Sequence, residues 1–289
     1  MAAEAVLRAA SGLERSRLEV WGDPIEHSVS PRIHTAAYAR LGWDWTYGRR
    51  RVDAGAFDSE LTGLGAEYRG LSLTFPLKGA AFAAAATRDR AAELTGAVNT
   101  LLLTGGPPRG FNTDVGGIVA DLREAGLGGV DRARIVGAGA TATSALVALA
   151  ELGATHVEVV ARRPDAAAAL ASLGARLGVD VTATSMDAVA PASVPLTIST
   201  LPGGAELAVP MAGAIAASGG MLYDVVYGHW PTPLALAWDR AGGTTRNGLG
   251  MLLHQAVLQI RIFATGESTQ ELPAESAVVD VMRSALVGD

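Results

Sequence analysis

Short apolar runs with the spacing of β-strands alternate along the chain with longer segments that have helical spacing. RLEVWG, DWTYGRRRV and GLSLTF read as strands, whereas SPRIHTAAYARLG, GAFDSELTGLG and PLKGAAFAAAA place apolar residues at helical intervals. Pro31 lies in the first turn of the first of these helices, where its missing N–H removes no helical hydrogen bond. This alternation predicts an α/β fold with a mostly parallel sheet and helices on both faces.

A second series of strands and helices begins near residue 131. Before it, the turn-rich GGPP separates GAVNTLLLT from PRGFNTD and predicts a hairpin. After it, PLTIST and GGMLYDVV read as strands, and TPLALAWDRAG, GLGMLLHQAVLQIRIFATG and PAESAVVDVMRSAL read as helices. We therefore predict two domains, residues 1–115 completed by helices within 246–289, and residues 116–245, with a frayed or disordered lead-in over residues 1–15.

Composition narrows the class of protein. The chain has 289 residues, a net charge of −6 and a hydrophobic fraction of 49%, which is enough for two domain cores. Its mild acidity and lack of a basic run argue against nucleic-acid binding. The absence of cysteine excludes disulfides, a thiolate nucleophile and cysteine-ligated metals. No apolar stretch reaches a membrane-spanning length, the first residues do not have the pattern of a signal peptide, and no histidine–carboxylate cluster has metal-ligand spacing. A cytoplasmic protein without a metal is expected.

The segment RIVGAGATA carries a glycine pattern that is typical of dinucleotide binding. Gly137 permits a tight turn, Gly139 allows the backbone to approach a pyrophosphate, and Ala142 is small enough for helix–strand packing. A glycine turn of this kind can also be purely structural. Its position between a strand and a long helical pattern favours a cofactor site.

The next strand, HVEVVA, ends at Arg162 and Arg163. At this position NAD sites usually offer an acidic side chain to the ribose, whereas NADP sites offer arginine to the 2′-phosphate. Glu158 lies too early in the strand to serve, so the pattern favours NADP over NAD. The alternative is that both arginines are solvated charges at a strand end.

Polar residues at the ends of the first strands suggest a substrate site. Ser28 and Ser30 are two residues apart before a helix, where two hydroxyls and a helix N-terminus can hold a carboxylate. Capping of the helix by Ser30 alone is the other explanation. Lys78 follows a proline at a predicted helix start, and Asp114 follows FNT. Taken separately, they are consistent with a solvated charge and a helix N-cap.

Seven motifs give these candidates a common context, namely GDPIEHSVSP, LTFPLK, GAVNT, FNTDVGG, GAGATA, YGHWPTPL and GLGMLLHQA. They occur in the order and spacing of one enzyme family, and together they are far more specific than any single motif. On these motifs the chain resembles the shikimate dehydrogenases. The resemblance implies NADP-dependent, reversible reduction of 3-dehydroshikimate to shikimate, a step of aromatic amino-acid biosynthesis.

The same resemblance implies roles for individual residues and a nucleotide domain inserted into a substrate domain. Lys78 and Asp114 would be the catalytic pair at the reacting hydroxyl, with Lys78 acting as general base in oxidation and general acid in reduction. The implied substrate-binding residues are Ser28, Ser30, Ser72, Thr74, Asn99, Tyr227 and Gln255. The implied cofactor-binding residues are Gly137, Ala138, Gly139, Ala140, Thr141, Arg162, Arg163, Ser199, Thr200, Val225 and Gly248.

One departure from the family pattern bears on the substrate. Ser72 stands where the family usually has asparagine, and a hydroxyl offers one donor in place of an amide donor–acceptor pair. A paralogue acting on quinate or an aminated shikimate, with NADP or NAD, therefore remains an alternative. A catalytically silent regulator is a third possibility, against which the presence of Lys78 and Asp114 argues. His27 and His34 are interpreted as structural, and a monomer or homodimer is expected.

Overall fold

The structure, a computed structural model, describes residues 16–190 and 193–287. The predicted lead-in at residues 1–15 lies outside these residues. The strands are β1 (Ser16–Gly22), β2 (Trp45–Arg51), β3 (Tyr68–Leu73), β4 (Thr87–Arg88), β5 (Thr100–Leu102), β6 (Arg109–Phe111), β7 (Arg132–Val136), β8 (His156–Ala161), β9 (Asp180–Ser185), β10 (Leu196–Ser199), β11 (Met221–Asp224) and β12 (Thr244–Arg246). The α-helices are α1 (Ser30–Leu41), α2 (Phe57–Thr62), α3 (Lys78–Ala84), α4 (Arg90–Thr95), α5 (Thr113–Glu124), α6 (Ala140–Glu151), α7 (Ala168–Leu177), α8 (Val209–Ala216), α9 (Pro233–Arg240), α10 (Leu249–Thr265) and α11 (Glu275–Val287).

The strands form two six-stranded sheets. The first has the order β2-β1-β3-β5-β6-β4, in which β5 pairs antiparallel with β3 and β6 while the other pairs are parallel. The second has the order β12-β11-β10-β7-β8-β9 and is parallel throughout. The predicted α/β fold with mostly parallel sheets is confirmed, and the GGPP hairpin forms between β5 and β6.

The chain divides into two compact units, each with its own sheet and core. The first unit runs to Gly117 and resumes at Leu253, and the second comprises Ile118–Leu252. Buried side chains of the first core include Trp21, Phe57 and Leu71. The second core is built from apolar residues of the parallel strands and of helices α8 and α9. Because both faces of the second sheet are covered, its central strand β10 is buried at every position.

Element boundaries differ from the sequence prediction in the stretch GLSLTFPLKGAAF. Strand β3 ends at Leu73 instead of Phe75, and helix α3 begins at Lys78 instead of Pro76. The intervening residues form a turn that is closed by a hydrogen bond from Leu77 N to the Thr74 carbonyl at 2.8 Å. Strands β4, β9 and β12 and helices α4 and α8 were not predicted, because short, exposed or uniformly apolar elements carry little hydrophobic periodicity. No helix in the described part of the chain is long and apolar enough to cross a membrane.

His34 is a fully buried histidine in α1 whose titration should be visible in the stability of the protein. Its ring stacks on Tyr47 with centroids 3.9 Å apart, and its Nδ1 lies 3.1 Å from the Tyr38 hydroxyl. Burial lowers the pKa of His34 to about 3, and the nearby Gln259 side chain has a smaller effect in the opposite direction. The imidazole is therefore neutral in the folded protein at pH values where the unfolded chain already takes up a proton.

Stability should consequently fall as the pH is lowered from about 6.5 towards 3. His34 alone should reduce the free energy of unfolding by about 3 kcal/mol between pH 6.5 and pH 4. Urea unfolding measures the free energy of unfolding at both pH values. In His34→Phe, which keeps the stacked ring, the difference between the two values should be about 3 kcal/mol smaller than in the wild type. His156→Gln, at an exposed histidine, is the control and should leave the difference unchanged; the same shrinkage there would contradict the assignment.

Candidate active site

Lys78 is held at the carboxyl end of the first sheet. The segment after β3 is hydrogen-bonded to the end of β1 and to the residue that follows it. Thr74 N donates to the Trp21 carbonyl and Asp23 N donates to the Phe75 carbonyl, both at 3.0 Å. Lys78 is the first residue of α3, and its side chain is only 16% exposed. The interpretation of Lys78 as a solvated charge is therefore wrong. It is also the only lysine among the 289 residues.

Asp114 is the partner of this lysine. Lys78 Nζ donates to Asp114 Oδ2 at 2.5 Å, and Asn99 Nδ2 donates to Asp114 Oδ1 at 2.7 Å. The N-cap interpretation of Asp114 is wrong, because Asn112 performs that role by accepting a hydrogen bond from Asp114 N at 3.0 Å. Both carboxylate oxygens thus have their own donor, and the side chain is 7% exposed.

Asn99 and Gln255 complete this cluster. Asn99 lies immediately before β5, where its Oδ1 accepts hydrogen bonds from Thr113 N at 2.9 Å and from the Thr100 hydroxyl at 2.8 Å. The Thr113 hydroxyl also lies 3.4 Å from Gln255 Oε1 on α10. The structure therefore brings four of the predicted site residues together, although they are up to 177 residues apart (Gln255 minus Lys78).

The predicted carboxylate-binding serines lie in the loop before α1. Ser30 is buried and Ser28 is half-buried, and Ser30 N donates weakly to Ser28 Oγ at 3.4 Å. Helix α1 has no side-chain cap, with Val29 at the N-cap position, so the capping explanation of Ser30 is wrong. Arg49 of β2 braces the loop by donating to the carbonyls of Glu26 at 2.5 Å and of Ser28 at 3.3 Å. A groove beside this loop is lined by Ser28, Arg32 and Arg49 and also by the acidic Glu26, while the buried Ser30 does not line it.

Ser72 and Thr74, at the end of β3, have different surroundings. Ser72 is 3% exposed, and its hydroxyl accepts from Tyr47 at 2.6 Å and donates to Gln259 at 2.8 Å. Thr74 is half-buried in the turn that leads to Lys78. The hydroxyl of the atypical Ser72 is therefore hydrogen-bonded to two other side chains of the first unit.

The glycine turn of the second unit has the geometry of a phosphate cradle. Gly137 has φ +115°, and a Cβ there would lie 2.4 Å from Thr200 Oγ1. An added Cβ on Gly139 would meet no atom within 4 Å, which leaves open space where α6 begins. Ala142 is fully buried, as close helix–strand packing requires. The turn, which includes Ala138, Ala140 and Thr141, therefore fits a pyrophosphate at a helix N-terminus.

Arg162 and Arg163 follow β8 directly beside this turn. Strands β7 and β8 are parallel neighbours, and Gly137 N donates to the Val160 carbonyl at 2.8 Å. Both arginines are exposed, and neither guanidinium group has a hydrogen bond or ion pair with another residue of 16–190 or 193–287. Two unpaired guanidinium groups next to the cradle fit the phosphate of NADP.

The remaining predicted cofactor residues lie at the ends of β10, β11 and β12. Thr200 N donates to the Val136 carbonyl at 2.8 Å, and Val225 N donates to the Ser199 carbonyl at 3.0 Å. A Cβ on Gly248 would lie 2.0 Å from the Val225 carbonyl oxygen, so only glycine fits there. Tyr227 lies in the segment between β11 and α9, and burial raises its pKa.

Sequence reasoning missed several polar residues around the Lys78–Asp114 pair. Asn112 and Thr113 belong to the FNTD motif. Their roles were missed because the sequence does not show which residue caps α5. Tyr47 lies in β2 and carries no motif. Gln259 could have been found, because it follows Gln255 by four residues and therefore lies on the same face of α10.

Known proteins resemble this chain over most of its length. The family model described as the shikimate dehydrogenase substrate binding domain matches residues 20–101. Shikimate dehydrogenase (NADP(+)) of Acidovorax sp. (strain JS42) is 37% identical over 250 residues, covering 82% of this chain and 86% of that protein. The protein of the same name from Bordetella avium (strain 197N) is 35% identical over 283 residues, covering 94% and 97%.

Two solved structures extend the likeness to the fold. Mycobacterium tuberculosis shikimate dehydrogenase has a TM-score of 0.82 and 41% identity, covering 95% of this chain and all of that one (100%). Shikimate 5-dehydrogenase of Thermus thermophilus, in complex with NADP(H) and shikimate, has a TM-score of 0.75 and 29% identity, covering 93% and 99%. The similarity therefore includes both units.

Proposed function

The chain belongs to the shikimate dehydrogenase family, and from this premise we propose that it catalyses the reversible, NADP-dependent reduction of 3-dehydroshikimate to shikimate. The observation that carries the proposal is the Lys78–Asp114 pair, with Nζ and Oδ2 2.5 Å apart. A silent binding protein has no need of a buried ammonium held in this way. The first unit is proposed as the substrate domain and the second as the cofactor domain.

Lys78 is proposed to handle the proton of the reacting hydroxyl. In the reducing direction the substrate ketone gains a hydride at carbon and takes a proton at oxygen from the Lys78 ammonium. In the oxidising direction the Lys78 amine accepts the hydroxyl proton as the hydride leaves the same carbon. Asp114 orients Nζ through its Oδ2, and Asn99 holds the other carboxylate oxygen at 2.7 Å. Such positioning is a large part of what a protein contributes to hydride chemistry.

The rest of the substrate is proposed to be held by polar residues of the first unit. Ser28 and Ser30 bind the carboxylate, in a loop whose position is set by Arg49. Thr74, Asn99 and Gln255 are proposed to bind the ring hydroxyls or the carboxylate. Ser72 of the same unit is retained as a candidate substrate contact, as is Tyr227, which belongs to the second unit.

NADP is proposed as the cofactor, and when bound it supplies or accepts the hydride. The Gly137–Gly139 turn is proposed to hold its pyrophosphate, and Arg162 and Arg163 its 2′-phosphate. Ser199, Thr200, Val225 and Gly248 are proposed to lie along the nicotinamide half. The open space at Gly139 and the absence of ion pairs at Arg162 and Arg163 among the described residues support this assignment.

The proposal is tested by following absorbance at the nicotinamide band with shikimate and quinate, each combined with NADP and NAD. We expect shikimate with NADP to have by far the highest kcat/KM. A preference for quinate would support the paralogue, and no turnover with any pair would contradict both enzyme assignments. Sedimentation velocity of the same sample distinguishes the expected monomer and homodimer. A cytoplasmic location is proposed, since substrate and cofactor are both small soluble molecules.

A further inference from the structure

A continuous line of buried hydrogen bonds runs through the first unit from strand β2 to the Asp114 carboxylate. We call its five side chains the relay, which consists of Tyr47, Ser72, Gln259, Thr100 and Asn99. Their exposed fractions lie between 0 and 7%, so water is not available to replace a lost partner. A buried polar group without a partner is costly, and each link is therefore expected to persist in the folded protein.

The first half of the relay has a defined direction. Tyr47 donates to Ser72 Oγ at 2.6 Å, Ser72 donates to Gln259 Oε1 at 2.8 Å, and Gln259 Nε2 donates to Thr100 Oγ1 at 3.1 Å. Gln259 Nε2 also donates to the backbone carbonyl of Asn99 at 3.3 Å. Because a carbonyl can only accept, this contact fixes which end of the Gln259 amide faces Ser72. Burial raises the pKa of Tyr47, which keeps its hydroxyl a donor.

The second half continues in the same direction. Thr100 donates to Asn99 Oδ1 at 2.8 Å, and Asn99 Nδ2 donates to Asp114 Oδ1 at 2.7 Å. The backbone N–H of Thr113 can only donate, and it donates to the same Asn99 Oδ1 at 2.9 Å. This contact orients the Asn99 carboxamide with its NH2 group towards Asp114. Every donor in the relay therefore points towards the carboxylate, an arrangement in which successive hydrogen bonds strengthen one another.

We propose that Gln259 and Tyr47 are positioning residues of the active site, which act through Thr100 and Asn99 to hold the Asp114 carboxylate in place for Lys78. The inference rests on the proposed dehydrogenase function. It also gives a physical meaning to Ser72, which stands where the family usually has asparagine. The carboxamide that is missing from β3 is supplied by Gln259 from α10, and the Ser72 hydroxyl links it to Tyr47.

Gln259→Met removes both ends of the amide while keeping a side chain of similar length. We expect it to lower kcat for shikimate oxidation roughly threefold to tenfold, the loss typical of one well-placed hydrogen bond. KM for shikimate should change much less, because Gln259 is not one of the residues proposed to bind the substrate. In an Asn99→Ala background the same substitution should have almost no effect on kcat, since the link to Asp114 is already broken.

Tyr47→Phe tests the far end of the relay without creating a cavity, and Tyr68→Phe is its matched control. Tyr68 is also buried, and its hydroxyl donates to Glu19 Oε1 at 3.1 Å, away from the relay. We expect both variants to lose similar thermal stability and only Tyr47→Phe to lower kcat. An equal loss of kcat in Tyr68→Phe, or a full effect of Gln259→Met in the Asn99→Ala background, would show a merely structural role.

A second measurement does not depend on turnover. Because the chain has one lysine, labelling with 15N-lysine gives a single side-chain signal, that of Lys78. Gln259→Met and Tyr47→Phe should shift this signal, and Tyr68→Phe should leave it in place. An unchanged signal in both relay variants would overturn the inference. If the wild-type protein had no dehydrogenase activity, the proposed function would be contradicted. The spectroscopic test of the relay would still apply, because it does not require turnover.

Discussion

Replacing Lys78 with either methionine or arginine is expected to lower kcat for shikimate oxidation about a thousandfold, within the range typical of a lost general acid–base. Methionine removes the amine. Arginine keeps the positive charge and can still pair with Asp114, but a guanidinium stays protonated in proteins and cannot accept the hydroxyl proton. Similar losses in both variants would therefore separate proton transfer from simple charge stabilisation.

Steady-state kinetics at saturating NADP measures this effect. The matched control is Arg90→Met, because Arg90 is an exposed basic residue that begins α4 just as Lys78 begins α3. That variant should have the kcat of the wild type. If Lys78→Arg retained kcat within about threefold of the wild type, far less than acid–base loss predicts, charge alone would suffice and the proton-transfer role would be wrong.

The basic composition of the chain supports the same assignment. Lysine and arginine total 23, and Lys78 is the only lysine. Every other residue of this total is an arginine, including the fully buried Arg134, which pairs with Glu158 at 2.7 Å. A position that must exchange a proton is one where arginine cannot substitute. The one position that keeps lysine is therefore the one at which a proton-transfer role is proposed.

Long-range periodicity was sufficient to predict the two α/β units, because buried parallel strands and amphipathic helices leave strong patterns. It failed for β9, whose residues are mostly exposed or half-buried, and for α4, which has six residues and is defined by its Asp89 cap. The turn from Thr74 to Leu77 was also missed. Its geometry depends on hydrogen bonds to the end of β1, which is more than fifty residues away (Thr74 minus Trp21).

The site illustrates a similar limit. Motifs pointed to Lys78 and Asp114, but neither motif showed that Asn112 caps α5. Because Asn112 has the capping role, the Asp114 carboxylate is available to pair with Lys78. The relay was not predictable from sequence, since its members come from β2, β3, β5 and α10 and meet only in the fold. The departure at Ser72 was visible, but its explanation required the position of Gln259.

Replacing both Arg162 and Arg163 with alanine is expected to raise KM for NADP roughly a hundredfold, while KM for NAD changes less than about threefold. Two charge-assisted contacts to the 2′-phosphate would be lost, and both side chains are exposed, so solvent screening reduces the effect below its buried maximum. Because NAD lacks that phosphate, its binding should be weakened little by the two substitutions. At saturating NADP, kcat should remain near the wild-type value, because uniform binding energy affects KM alone.

Initial rates with each cofactor at low and high salt provide the measurement. For the wild type, KM for NADP should rise with ionic strength, since exposed charge pairs are screened, and the double variant should lose most of that dependence. Arg176→Ala, at an exposed arginine in the last turn of α7 of the same unit, controls for a general change in charge and should leave the KM ratio of the two cofactors unaltered. An equal rise in KM for NADP and NAD in the double variant would contradict the 2′-phosphate assignment. It would support the alternative that both arginines are solvated charges at a strand end.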